Sequence, residues 1–185
     1  GGDVSQRNSY TRVRITPSTP ADATFTSPGG ITRTRDEEIQ NFANWFQYQR
    51  SRALASFAGI GKAFTRLPDN ARVGFGTINK GASLVDGAST STISNGVRPF
   101  NLAERQNFYS RLYSAVISTS GTPLRRAAEN VGRYFSRSDS SGPWSETPGS
   151  NGGQDLACRQ SFHVLMTDGF WNGFNPAVGN ADGNA

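Results

Sequence analysis

One cysteine, one histidine and one methionine are all that the 185 residues hold of these side chains. A structural zinc site uses four Cys or His ligands, so Cys158 and His163 cannot build one between them. The same scarcity removes the usual nucleophile–base pairs. His163 lies inside an apolar run, which suits a core or sheet-face residue better than a general base. There is no Gly-x-Ser-x-Gly elbow, and "GIGKAF" has the wrong spacing for a phosphate-binding loop. The chain is therefore not expected to be an enzyme. Lysine is scarce as well: 2 residues against 17 arginines, within a net charge of +5. Basic and acidic residues interleave, and no run of five like charges occurs, so a nucleic-acid partner is not expected. No apolar stretch approaches the roughly 18 residues that cross a bilayer, and membrane insertion is not expected either.

What is present is glycine, 21 residues of it, and only 35% hydrophobic residues. That balance predicts a compact core carrying long polar loops. The opening "GGDVSQRNSY" and the closing "NPAVGNADGNA" both read as loop, so the chain is expected to be a piece of a longer polypeptide. Cys158 then reads as a buried small residue, a free thiol, or half of a bridge to another segment.

Residues 1–35 are expected to be irregular, with "TRVRIT" as one short strand. From Asp36 to Leu67 the apolar residues recur every three or four positions. One long helix is predicted there, burying Phe42, Phe46, Phe57 and Phe64, with Trp45 and Tyr48 on a second packed side and Pro68 as its stop. "ARVGFGTIN", residues 71–79, reads as a strand. The polar connection after it offers one short strand at 83–86. "LAERQNFYSRLYSAVIS" places Leu102, Phe108, Leu112, Ala115 and Val116 on a helical face. "GTPLRRAAENVGRYF" begins a further helix, with Thr122 as N-cap and Pro123 at the first helical position. Arg137 falls at its exposed end. Residues 138–157 form a long polar insertion. "SFHVLMTDG", residues 161–169, reads as a final strand. Strands separated by helices predict an α/β fold, a three-layer sandwich with parallel central strands and long polar insertions. Ligands in such sheets gather beyond the strands' carboxyl ends.

Two oxygen donors are candidates there. Thr122 offers a hydroxyl at a loop-to-helix junction, and Asp168 a carboxylate at a strand end. Both suit Mg²⁺ or Ca²⁺. "GNADGNA" does not carry the EF-hand spacing and reads as plain loop.

Taken together, "SGTPLRRA" and the later "VLMTDG" resemble a von Willebrand factor type A domain. "NFANWF", "GTPLRRAAENVGRYF" and "TDGFWN" narrow the resemblance to the PilY1 family of type IV pilus tip proteins, over most of residues 36–180. The type A family binds a divalent ion through an Asp-x-Ser-x-Ser loop, a separate Thr, and the Asp of Thr-Asp-Gly. Thr122 and Asp168 match the last two. Nothing matches the first: "DVSQR", with Asp3 and Ser5, has Arg7 in place of the last Ser. The resemblance thus implies that residues 1–185 are part of one such domain, with its first strand and metal loop upstream of residue 1. It implies a metal-dependent adhesion and assembly module, extracellular at the pilus tip or outer cell surface. Minor pilins or other tip subunits, and a host-cell or surface receptor, would be its partners. The alternative is a structural tip domain with a silent metal site.

Overall fold

The computed structural model describes residues 6, 12–156, 158–167 and 169–178, and they divide at residue 58 into two compact units. In the first unit, strands β1 (Thr24–Thr26) and β2 (Thr32–Thr34) pair antiparallel. This hairpin lies where an irregular loop was expected, while "TRVRIT" forms no strand over residues 12–16. Gly30, at φ +80°, makes the turn. Helix α1 (Arg35–Tyr48) starts on a reciprocal cap. Thr34 Oγ1 accepts the Glu37 N–H at 3.4 Å, and Glu37 Oε2 accepts the Thr34 N–H at 2.8 Å.

The single long helix predicted for 36–67 is two helices. α1 ends at Tyr48, and α2 (Arg52–Phe64) restarts where Ser51 Oγ accepts the Leu54 N–H at 3.2 Å. A serine side chain that competes for backbone donors begins a helix more readily than it continues one. The expected burial of Phe42 and Phe46 is also corrected. They are 60% and 51% exposed, and Trp45 and Tyr48 are exposed with them. Two three-residue strands are too small to cover this face, so Phe42 stacks on Phe46 and meets Trp45 at a tilt instead. Phe57 and Phe64 are half-buried.

The second unit is built on β3 (Arg72–Gly76) and β6 (Ile93–Pro99), paired antiparallel with Arg72 opposite Pro99. β4 (Ser83–Val85) and β5 (Ala88–Thr90) form a hairpin between them in sequence. Every sheet among the described residues has two strands and is antiparallel, so the expected parallel pairs do not occur there. Residues 161–167 are not a strand: Phe162, Val164, Leu165 and Met166 are exposed, as is His163. A strand needs a neighbour for its backbone donors and acceptors, and no described residue supplies one.

Helix α3 (Leu102–Tyr113) is capped by Asn101 and buries Phe108 and Leu112. Phe108 packs against Phe64, Phe75, Phe100 and Tyr109. α3 stops short of the expected Ala115 and Val116; Val116 is 82% exposed. Leu102, in the first turn, is exposed too. The Ser114 N–H closes the last turn onto Ser110 and Leu112.

Helix α4 (Leu124–Phe135) buries Ala127 and Tyr134. Tyr134 fastens it to the sheet: its hydroxyl accepts the Val97 N–H at 2.9 Å and donates to Asp86 Oδ2 at 2.8 Å. Asp86 and Gly87 both have positive φ, +52° and +80°, as the two-residue turn of the β4–β5 hairpin requires. Arg98 donates through both terminal nitrogens to the Asp86 carboxylate. Burial raises the affinity of Asp86 for its proton, but the bonds from Arg98 and Tyr134 outweigh it and hold the carboxyl below its ordinary range. Arg137 is not the free helix end expected. It donates to Asp86 O at 2.6 Å and to Asp139 and Ser141.

Residues 138–156 hold one isolated strand-like contact, between Ser145 and Asp155, and are tied down. Arg72 donates to Ser145 O, Trp144 Nε1 donates to Phe135 O, and Ser145 is 1% exposed. Cys158 is an exposed free thiol, not the buried small residue that was one of its readings.

Candidate functional site

Thr122 precedes α4 in a loop that runs from the end of α3. Gly121 makes the turn at φ +104°, a conformation other residues adopt at a cost. Pro123, not Thr122, holds the cap position of α4, and the helix has no side-chain cap. The Thr122 hydroxyl makes no hydrogen bond among the described residues; its carbonyl accepts the Leu124 N–H at 2.8 Å instead. The expected capping role is therefore corrected. Pro123 has a helix-compatible φ of −76°, but its ψ of 61° is not helical, so the helix begins one residue later, at Leu124.

What meets this loop is the segment after Asp168. Asn172 Oδ1 accepts the Thr122 N–H at 2.8 Å, and the Asn172 N–H donates to Thr122 O at 2.9 Å. A side chain at Gly121 would collide with the Asn172 amide, only 2.9 Å from where its Cβ would sit. Gly173, at φ +99°, packs against Pro123. The Arg125 guanidinium lies 3.6 Å over the Trp171 ring, a close cation–π contact. Further on, Glu129 holds the chain again: its carboxylate accepts the Ala177 N–H at 3.4 Å. Arg133 beside it, helped by that N–H, keeps the Glu129 carboxyl below its ordinary range.

Asp168 itself lies outside the described residues, as do Asp3, Ser5, Arg7 and "GNADGNA". Gly169 beside it has φ +105°, and its N–H donates to Thr167 Oγ1 at 3.2 Å. Of the two candidate ligands the described residues hold Thr122 alone, whose hydroxyl makes no hydrogen bond among them. That fits a hard cation in kind but is not a coordination shell. Among the described residues no three His, Cys, Asp or Glu side chains gather as one.

Beside β3 an open cleft of about 800 Å³ runs from Phe75 and Thr77 to the loop at 114–120. Lys80 and Arg111 line it, and no described carboxylate does. Burial lowers the Lys80 pKa. The Thr77 hydroxyl is buried there with no partner among the described residues. Sequence reasoning missed this cleft because its residues come from β3, β6, α3 and the segments after β3 and α3, which share no period.

No family model and no solved structure matches the chain. Three proteins of Pseudomonas aeruginosa do, each described as type IV pilus biogenesis factor PilY1. That of strain PAK is 38% identical over 143 residues, 77% of this chain. That of strain PAO1 is 39% identical over 152 residues, 80% of the chain. That of strain UCBPP-PA14 is 32% identical over 175 residues, 94% of the chain. The chain spans 12–14% of the length of these relatives. Over that stretch it belongs to the PilY1 family of type IV pilus biogenesis factors.

Proposed function

We propose that this chain is part of a von Willebrand factor type A-like module that works at the tip of a type IV pilus, in pilus biogenesis and in attachment to a host cell or surface. Thr122 and Asp168 would be two of the ligands of a Mg²⁺ or Ca²⁺ ion, and the ion would supply a hard Lewis-acid contact for a partner's carboxylate. The observation that carries the reading is the pairing of Asn172 with Thr122. It joins "TDGFWN" to "GTPLR", the two motifs that the resemblance assigns to one metal site.

Three features support the fold part of the reading. Among the described residues β3 pairs with β6 alone, so its other edge is open. The cleft beside it holds the Thr77 hydroxyl, which has no partner among the described residues. The apolar residues of 162–166 are exposed. A further strand from elsewhere in the polypeptide would satisfy all three and would complete a three-layer α/β sandwich. Minor pilins or other tip subunits would be the partners in assembly, at the outer cell surface.

The test is complementation in a piliated strain that lacks the protein, using the full-length gene with Thr122→Ala and Asp168→Ala together. Surface pili and attached cells are counted. The reading expects loss of the protein to reduce pili, and the double variant to reduce attachment. Unchanged pili and attachment without the protein would refute the pilus role. Full recovery of both by the double variant would leave a structural tip domain with a silent site.

A further inference from the structure

Two cations line the cleft beside β3, Lys80 and Arg111, and both are held by neutral oxygens. Lys80 Nζ donates to Thr90 O at 3.0 Å, to Gly81 O at 3.4 Å and to Ser83 Oγ. Arg111 donates through Nε to Asn107 Oδ1 at 3.1 Å and through Nη1 to Ser94 O at 3.2 Å, and its Nη2 has no partner among the described residues. Elsewhere in this unit Arg98, Arg105, Arg133 and Arg137 each pair with a carboxylate. The charges of Lys80 and Arg111 are thus fixed in place, with no counter-charge among the described residues. Arg111 is exposed, so water can solvate it while the cleft is open. Phe75 of β3 and Thr77 just beyond it share the cleft with Arg111, so a strand laid along the edge of β3 away from β6 would enter it and expel that water. Taking a cation out of water without a partner is strongly unfavourable, so the covering segment has to bring an anion. The Thr77 hydroxyl, buried in the same cleft, indicates the source. A buried hydroxyl left unbonded destabilises every state that lacks the cover, and a tethered segment is at hand in all of them.

We propose that the cleft seats an extended acidic segment of the same polypeptide, from outside residues 1–185, whose backbone pairs with β3 and whose carboxylate bonds Arg111, with Lys80 adding a second positive charge. This rests on the reading above that β3 takes a further strand, and it adds the chemistry of that strand. The chain spans 12–14% of the length of its relatives, so most of such a polypeptide lies outside it. Main-chain bonds along β3 would hold the segment, and the acid would select it and set its register. Phe75, Val116 and Ile117 also line the cleft, so the residues flanking the acid would be apolar.

The experiment uses the purified full-length protein and its Arg111→Gln and Arg111→Glu variants, and reads amide hydrogen exchange over residues 72–77. Both variants lose the guanidinium, so the difference between them reports the charge that faces position 111. Opposite a carboxylate, Arg111→Glu is repelled, and its exchange should run about tenfold or more faster than that of Arg111→Gln. In a cleft that holds no anion, a carboxylate near Lys80 is attracted instead. Exchange in Arg111→Glu no faster than in Arg111→Gln would therefore overturn the acidic segment, while slow exchange in the unaltered protein would leave the strand standing. In the unaltered protein every amide of 72–77 should exchange slowly, at any protein concentration. Amides there that exchange at the unprotected rate would mean that no strand covers β3, and the strand reading and the acidic segment would fail together. Protection that appears only as protein concentration rises would overturn the same polypeptide as the source.

Discussion

Replacing Asp86 by Asn removes one charge and turns one of the two acceptor oxygens that face Arg98 into an N–H donor. Asn tolerates the left-handed conformation that Asp86 adopts at φ +52°, so the hairpin turn survives. The amide can still accept from Tyr134 and from one nitrogen of Arg98. What is lost is the counter-charge of an ion pair whose carboxylate side chain is 4% exposed and whose guanidinium is 21% exposed. Removing one partner of a buried pair costs about 3–5 kcal/mol. Arg98 keeps some contact with water and a bond to Val97 O at 2.8 Å, which argues for the lower end, about 3 kcal/mol. The variant also changes the response to acid. The Asp86 carboxyl is held below its ordinary value of 3.8. Its contribution is therefore complete above the unfolded value and disappears as pH falls through the lower folded one. Denaturant unfolding at pH 7 and at steps down to pH 2 measures both effects. The stability gap between the two proteins should be widest at neutral pH and should close in acid. A gap below about 0.5 kcal/mol at pH 7, the range of ordinary surface changes, would refute the argument. So would a gap that stays constant from pH 7 to pH 2.

Phe108→Ala should cost about 3–5 kcal/mol in the same assay, because Phe108 is 2% exposed and four rings close around it; a loss under 1 kcal/mol would mean that the second unit has another core. Arg137→Ala should cost about 1–2 kcal/mol, well above an exposed helix end, since its bonds to Asp86 O, Asp139 and Ser141 tie α4 to the insertion; an unchanged denaturation midpoint would show that these bonds are not held in solution.

The helices were the most legible part of the sequence. The apolar spacing around Phe108 and Leu112, and around Ala127 and Val131, placed α3 and α4 because those residues do face a core. The same spacing misled over residues 36–67. An apolar stripe at 39, 42, 45 and 46 looks identical whether it is covered or bare, and only tertiary packing decides. β6 was hidden because Asn95, Gly96 and Pro99 interrupt its alternation; Gly96 is there so that Asp86 and Tyr134 can approach. Two local signals in the sequence mark elements of the first and second units. Thr34 and Glu37 have the spacing of a reciprocal cap, and Asp86-Gly87 between two short runs is a strong hairpin turn. The candidate site was half legible. Thr122 stood out by its neighbours Gly121 and Pro123. Asn172 did not, because a side chain that bonds a backbone fifty residues away leaves no periodic trace.

The central claim is that Thr122 and Asp168 serve one divalent cation. Its most direct measurement is the melting temperature of the full-length protein with and without Mg²⁺ or Ca²⁺, alongside its Asp168→Ala variant. A cation that binds only the folded state stabilises it by about 2.7 kcal/mol at a hundred times its dissociation constant. The unaltered protein should show a clear rise in melting temperature, reversed by chelator and lost in Asp168→Ala. Equal shifts in the two proteins, or no shift in either, would contradict it.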